Sequence, residues 1–226
     1  MLVALATALV TVATYSFQIY LPVTKGYFNI GEAAIYLVAL LTGPYMGAFA
    51  GGVGSMLSDI LGGYWFYAPG TLIIKAAEGG LLGLLASRRP ALSKRGWQLS
   101  SLLLGSALFL AIYFVGTTYF VGATSIGSFN VVIPSFFWLA IALLVASFVV
   151  ATSFFMSPEA SWLAISAVAA GSIMVLGYFL YEQFILGYVA AAEVPFNVGQ
   201  VLVGIIIAVP AYSSLKSFRK LRRTNT

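Results

Sequence analysis

Residues 134–156 read PSFFWLAIALLVASFVVATSFFM, without a charged side chain and without alternation of apolar and polar positions. An apolar run of about 20 residues is the length that carries a helix across the ~30 Å hydrocarbon core of a bilayer. In lipid a span must satisfy its own backbone N–H and C=O groups, which leaves helices or closed barrels. Barrel strands alternate apolar and polar positions; this run is continuous, so it reads as a helix. Outward from it, further apolar segments lie at about 2–21, 30–43, 44–62, 69–87, 97–121, 160–187 and 195–215, broken by Pro, Gly and charged residues. The pattern predicts an all-α, polytopic transmembrane helical bundle of about eight crossings, a single domain over 1–226.

Composition agrees. The chain is 61% hydrophobic and 8% charged, with a mean hydropathy of +1.01, where soluble domains carry about a quarter charged residues. It has no cysteine and no histidine, which removes thiol chemistry, disulfides, the usual zinc ligands and the commonest general base. No enzymatic activity, cofactor or metal is expected. The segment from Leu2 to Leu21 lacks a basic n-region and runs into Pro22 without a cleavage signal, so it is read as a retained span.

Nine of the eleven basic residues fall into two groups, Arg88, Arg89, Lys94 and Arg95, then Lys216, Arg219, Lys220, Arg222 and Arg223. Each group follows an apolar run, where the positive-inside rule places cytoplasmic anchors, so the net charge of +5 reflects orientation and not nucleic-acid binding. Both termini are expected in the cytoplasm of a multi-pass protein of the cell membrane, with a basic tail at 216–226 and outer loops near 22–29, 63–68, 122–133 and 188–194. The second segment, about 14 residues long, is too short to span the bilayer by itself. Gly43-Pro44 predicts a sharp break between it and the third. The region 97–156 holds almost no ionisable group and reads as lipid-facing or structural.

The acids are Glu32, Asp59, Glu78, Glu159, Glu182 and Glu193, and all but Glu159 fall in the outer half of this topology, joined there by Lys75. Ionisable groups inside a membrane are costly and usually face a cavity or a partner, which points to a polar site open to the outside. Thr71, Lys75 and Glu78 share a helical face by their spacing, as do Glu193, Asn197 and Gln200. A self-neutralising Lys75–Glu78 pair is the structural alternative. The turn Gly62-Gly63-Tyr64-Trp65-Phe66-Tyr67-Ala68-Pro69 supplies either rings that stack on a heterocycle or an interfacial aromatic belt. Small residues recur every fourth position at Ala4 and Ala8, at Gly43, Gly47, Gly51 and Ser55, and at Gly79 and Gly83, which allows close helix packing within the chain or against another subunit. No nucleotide-binding loop is present, so ATP binding by this chain is not expected.

Three stretches carry a resemblance: GYFNIGEAAIYLVALLTGPYMGAFAGGVGSMLSDILGGY at 26–64, APGTLIIKAAEG at 68–79 and GYFLYEQFILGYVAAAEVPFNVGQVLVG at 177–204. In order and spacing they resemble the substrate-binding S components of energy-coupling factor (ECF) transporters, in particular the riboflavin-type group, over the first 88 and roughly the last 65 residues. The resemblance implies a six-helix core, here with about two extra apolar segments inserted at 97–156. It also implies high-affinity capture of a vitamin-like solute from outside, and delivery by toppling when docked on a transmembrane T protein and two ABC ATPases. The family's small-residue face for the T protein matches Ala4 and Ala8, and its covering loop would be Pro22 to Ile30.

The expected substrate-binding residues are Asn29, Glu32, Asp59, Tyr64, Trp65, Tyr67, Thr71, Lys75, Glu78, Glu182, Glu193, Asn197 and Gln200. Riboflavin follows only from the family label; other vitamins, nucleobases or queuosine-type precursors suit the same residue types. A stand-alone proton- or ion-coupled transporter, relaying charge through Asp59, Glu78 and Glu182, is the rival reading. A lipid-modifying membrane enzyme is a third, disfavoured by the lack of His and Cys and of a dense cytoplasmic Asp cluster.

Overall fold

The computed structural model describes residues 1–22, 24–89, 91–119, 121–126, 129–187, 190 and 193–224, with side-chain surroundings for all of these but 119, 123–126, 129–133 and 218–224. Of the expected covering loop, Val23 lies outside the described residues, as do parts of the 122–133 and 188–194 loops; so do the side chains of Arg219, Lys220, Arg222 and Arg223 in the basic tail.

Eight α-helices occur among the described residues: α1 (Leu2–Ser16), α2 (Gly31–Thr42), α3 (Pro44–Leu61), α4 (Ala68–Ser87), α5 (Lys94–Tyr119), α6 (Ser135–Phe155), α7 (Pro158–Leu180) and α8 (Val194–Thr224). One π-helical turn, Tyr181–Leu186, extends α7. Five helical stretches are long and apolar enough to cross a membrane: α4, most of α5, α6, α7 with its π turn, and Val194–Ser217 of α8. The chain is an all-α multi-pass membrane protein.

Two details differ from expectation. α1 ends at Ser16, not near Leu21, because Phe17 leaves helical dihedrals and the next residues pair as a hairpin, β1 (Ile19–Leu21) against β2 (Gly26–Phe28), in the register Ile19 with Phe28 and Tyr20 with Tyr27. Likewise the loop expected at 122–133 contains paired strands β3 (Gly122–Ile126) and β4 (Phe129–Ile133). Ile19, Tyr20, Tyr27 and Phe28 in the first hairpin, and Thr124, Ile126, Phe129, Val131, Val132 and Ile133 in the second, are β-branched or aromatic and fit a pleated ribbon better than a helix end. The break at Gly43-Pro44 is present: Gly43 has φ +89, and Pro44 opens α3 as its first residue.

The chain divides into two compact units, Met1–Arg89 with Leu163–Thr226, and Pro90–Trp162. In the second, α5 and α6 pack on each other, Gly105 against Val150 and Gly116 against the Trp138 ring, while Trp97 meets Trp162 edge-on at 5.8 Å. Leu103, Leu110, Phe114, Phe136 and Leu144 stay exposed, as lipid contact requires.

The first unit is tied together where glycines let backbones touch. A Cβ on Gly47 would stand 2.6 Å from the Gly79 carbonyl oxygen, one on Gly51 2.9 Å from that of Lys75, and one on Gly83 2.6 Å from Pro44. The four-residue glycine spacing of α3 and α4 therefore serves packing inside the chain. α1 lies on α3 through Thr7 and Val10 at Gly54, where the Thr11 hydroxyl donates to the Gly54 carbonyl at 3.0 Å. Ala4 and Ala8 are on the exposed side of α1. Gly204 of α8 gives room to Glu32 and Tyr36 of α2. Gly79→Leu is expected to lower the melting temperature of the detergent-solubilised protein, at a cost of about 1–3 kcal/mol typical of overpacking, whereas Tyr45→Ala, at an exposed site, leaves it within a degree or two; equal melting of the two variants would contradict the α3–α4 contact.

Candidate functional site

Six segments bring their polar ends to one end of the first unit: the C-terminal ends of α1 and α3, the π turn after α7, and the N-terminal ends of α2, α4 and α8. Around them closes a cavity of about 410 Å³ including its mouth, lined among others by Thr14, Asn29, Asp59, Thr71, Lys75, Glu182, Glu193, Asn197 and Gln200.

At its floor lies an ion cluster. The Lys75 ammonium donates to Glu32 of α2 and, at 3.2 Å, to Glu78 one turn along α4. The Tyr36 hydroxyl donates to the other Glu78 oxygen at 2.9 Å. All four side chains are buried, with Glu32 and Glu78 at 0% exposure. Charges so far from water persist only when paired and hydrogen-bonded. The α4 pair expected from spacing is thus real and has a third member from α2. Lys75 also faces the cavity and sits 5.5 Å from the centre of the Tyr178 ring, so its pairing and its place in the cavity coexist.

One wall is hydroxyl-rich. Tyr27, from the first hairpin, donates to Asp59 at 2.5 Å. Burial, and then the Asp59 carboxylate, push the Tyr27 phenol well above its usual range, so it remains a donor. Tyr64 packs on Tyr27 with ring centres 4.6 Å apart. Thr71 and Tyr178 share a hydrogen bond at 2.9 Å.

The opposite wall belongs to Glu182 and Glu193. The Tyr67 hydroxyl donates to the Thr24 carbonyl at 2.9 Å and lies 3.4 Å from Glu182, while the Thr24 hydroxyl donates to Glu193 at 3.0 Å. The first hairpin is thereby pinned across the cavity. Gly26 admits this approach, since a Cβ there would stand 2.6 Å from a Glu193 oxygen. On α8, Gln200 donates to Asn197 at 3.0 Å and accepts from the Asn29 backbone N–H at 3.3 Å, and the Asn29 side chain accepts from Gly31 N–H at the start of α2. The π turn sets Glu182 inward at 1% exposure; such turns often mark functional positions.

Residues 1–155 of the 226 match the family model described as ECF-type riboflavin transporter, S component. The chain belongs to this S-component family. A 74-residue stretch is also 50% identical to an uncharacterized protein in the gap 3'region of Pyrococcus woesei, covering 33% of this chain. The match spans about half (49%) of that relative's length.

Of the residues expected in this S component's site, Asn29, Asp59, Tyr67, Thr71, Lys75, Glu182, Glu193, Asn197 and Gln200 line the cavity, and Glu32 and Glu78 hold Lys75 beneath it. Tyr64 stands behind Tyr27. Trp65 is set apart, 70% exposed, with its ring against Phe66; the turn after α3 points it outward. Sequence reasoning missed Thr14, Tyr27, Ser55 and Tyr178, which also line the cavity, as well as Thr24 and Tyr36. Tyr36 lies four residues after Glu32 and Tyr178 four before Glu182, so a search of the helical face around each acid finds both. The same search finds Ser55, four residues before Asp59, whereas Thr14 shares its face of α1 with Thr7 and Thr11 but with no acid.

Lys75→Met leaves Glu32 and Glu78 buried without their cation and is expected to destabilise the fold by about 3–5 kcal/mol. The triple variant Glu32→Gln/Lys75→Met/Glu78→Gln should recover a large part of that loss in a thermal melt. A triple variant no more stable than Lys75→Met would show that the cluster is not held by charge pairing.

Proposed function

We propose that this S component is the non-catalytic substrate-capture subunit of an ECF-type importer in the cell membrane, taking up a vitamin-like heteroaromatic solute from outside. The observation that carries the reading is a buried polar cavity, built from six helix ends and crossed by a hairpin, in a chain otherwise suited to lipid. A cluster of this cost inside a bilayer calls for a function, and the family description supplies it. Amides of Asn29, Asn197 and Gln200 would orient polar edges of the ligand, Lys75 would meet a carbonyl or anionic group, and Tyr27, Tyr67 and Tyr178 would cover its faces. The hairpin, which closes the cavity by hydrogen bonds to Glu193 and Asp59, would have to shift to admit a ligand.

Orientation follows the positive-inside rule. Arg89, donating to Tyr212 at 2.6 Å, belongs to the end of the first unit away from the cavity, so cytoplasmic termini leave the cavity facing outward. The exposed Ala4 and Ala8 offer α1 a close-packing face for a T protein, and delivery would depend on that protein and two ABC ATPases. Riboflavin is the first compound to test, because the family description names it.

The test is uptake by liposomes containing this protein with or without an ECF module. ATP-dependent uptake that requires the module is expected, and Lys75→Ala should weaken ligand binding by tenfold or more, on the order of one lost charge-assisted hydrogen bond, with Glu78→Ala weakening it by releasing Lys75, while Lys94→Ala leaves it unchanged. Robust uptake driven by a proton or sodium gradient, without ATPases, would overturn the proposal in favour of a stand-alone transporter.

A further inference from the structure

Glu182 lies in the π turn that ends α7 and Glu193 directly precedes α8; both are buried, both line the cavity, and their carboxyl groups are hydrogen-bonded to each other. An ionised carboxylate only accepts hydrogen bonds, so a bond between two carboxyl groups needs a proton on one of them. Charge gives the same answer, because two carboxylates that share a site withdrawn from water do not both ionise. The neighbours decide which group donates. The Thr24 hydroxyl donates to Glu193 at 3.0 Å, whereas the Tyr67 hydroxyl lies 3.4 Å from Glu182 and already donates to the Thr24 carbonyl at 2.9 Å. Glu193 is the better-supported acceptor, and the Glu182 carboxyl is the donor. The Oε2 atom of each receives no donor from the other described side chains, and one proton between the two groups serves both.

We infer that Glu182 and Glu193 are an acid–carboxylate pair holding one proton, and that this proton fastens the first hairpin over the cavity. With the proton in place, the π turn, the start of α8 and, through Thr24 and Tyr67, the hairpin form one hydrogen-bonded set. When the proton leaves to solvent, two buried like charges stand side by side, and water reaches them as the hairpin lifts. The other titratable groups near the pair are Tyr67 at the start of α4, Tyr181 beside it in the π turn, and the exposed Lys25 next to Thr24 in the hairpin. Tyr27, Asp59, Lys75 and Tyr178 line the same cavity, to which α8 adds the neutral Asn197 and Gln200. The Lys75 ammonium donates to Glu32 and Glu78. The stability that the proton contributes is present while it is bound and is lost as pH rises through its release. As regulation of substrate entry this inference rests on the capture reading; the proton itself does not.

The experiment compares the purified, ligand-free full-length protein in detergent with the double variant Glu182→Gln/Glu193→Gln, which keeps an N–H donor between two neutral groups and has no proton to lose. In the infrared difference spectrum at neutral pH, wild type minus double variant, one carboxylic acid and one carboxylate are expected; two carboxylates or two acids would overturn the shared proton. Between about pH 6 and about pH 10 the wild-type melting temperature should fall by about 4 °C or more beyond any fall in the double variant. Hydrogen exchange of the Ile19–Phe28 amides, compared between the two proteins at each pH, should become faster in the wild type as the acid band disappears. Lys25→Gln is expected to behave as wild type; a Lys25→Gln protein that loses the pH response would assign that response to Lys25 and overturn the inference. Thr24→Val keeps the carboxyl pair and cuts its tie to the hairpin, so it should retain the acid band and speed hairpin exchange at neutral pH. Unchanged hairpin exchange in Thr24→Val, or loss of the acid band without faster exchange in the wild type, would overturn the fastening. No ligand enters any of these measurements, so a failure here leaves the capture reading standing, and a failure of uptake leaves the proton pair standing.

Discussion

The structure depends on the cost of placing charge in a medium that does not solvate it. Lys75, Glu32 and Glu78 are buried in the first unit, and an ion taken from water into such surroundings loses several kcal/mol even after relaxation. That cost is offset only if α2 and α4 hold their charges at hydrogen-bond distance, so the cluster dictates how the two helices sit. The glycines serve this constraint. Gly47, Gly51, Gly79 and Gly83 bring α3 against α4, and Gly204 opens α8 for Glu32 and Tyr36.

With the floor set, the walls follow from where helices end. The N-terminal ends of α2, α4 and α8 contribute Asn29, Thr71 and Asn197, and the ends of α3 and α7 contribute Asp59 and Glu182. Helix ends are where backbone geometry allows a chain to turn and where polar side chains reach a common space. The first hairpin then spans that space, held by Thr24 to Glu193 and by Tyr27 to Asp59. A cover fixed by a few hydrogen bonds from hydroxyls to carboxyl groups, each worth about 1–3 kcal/mol net, is the element of the site that opens most cheaply.

Much of this was legible in the sequence, and for a physical reason. In a chain of 8% charged residues, each intramembrane acid or lysine stands out against lipid-compatible surroundings, and i,i+3 and i,i+4 spacing assigns it a face. That logic located Lys75 with Glu78, and Asn197 with Gln200, and the break at Gly43-Pro44 was readable from backbone chemistry alone. Less legible was whatever depends on partners distant in sequence. That Glu32 completes the Lys75 cluster, or that Thr24 reaches Glu193, follows from packing rather than from local pattern. The hairpin at Ile19–Phe28 was hidden because its apolar first strand continues the apolar run of α1. Trp65 shares its turn with Tyr67, yet the turn sends one ring outward and the other into the site.

The central claim is that the buried polar cavity holds a small organic molecule. It is tested most directly by extracting the protein from its native membrane, purifying it in mild detergent and identifying co-purifying small molecules by mass spectrometry. A capture subunit with nanomolar affinity dissociates slowly enough to keep its ligand, so the account predicts one heteroaromatic compound at near-stoichiometric amount, lost in the Lys75→Ala protein. A protein that retains no compound, and whose melting temperature no vitamin or nucleobase raises, would contradict it.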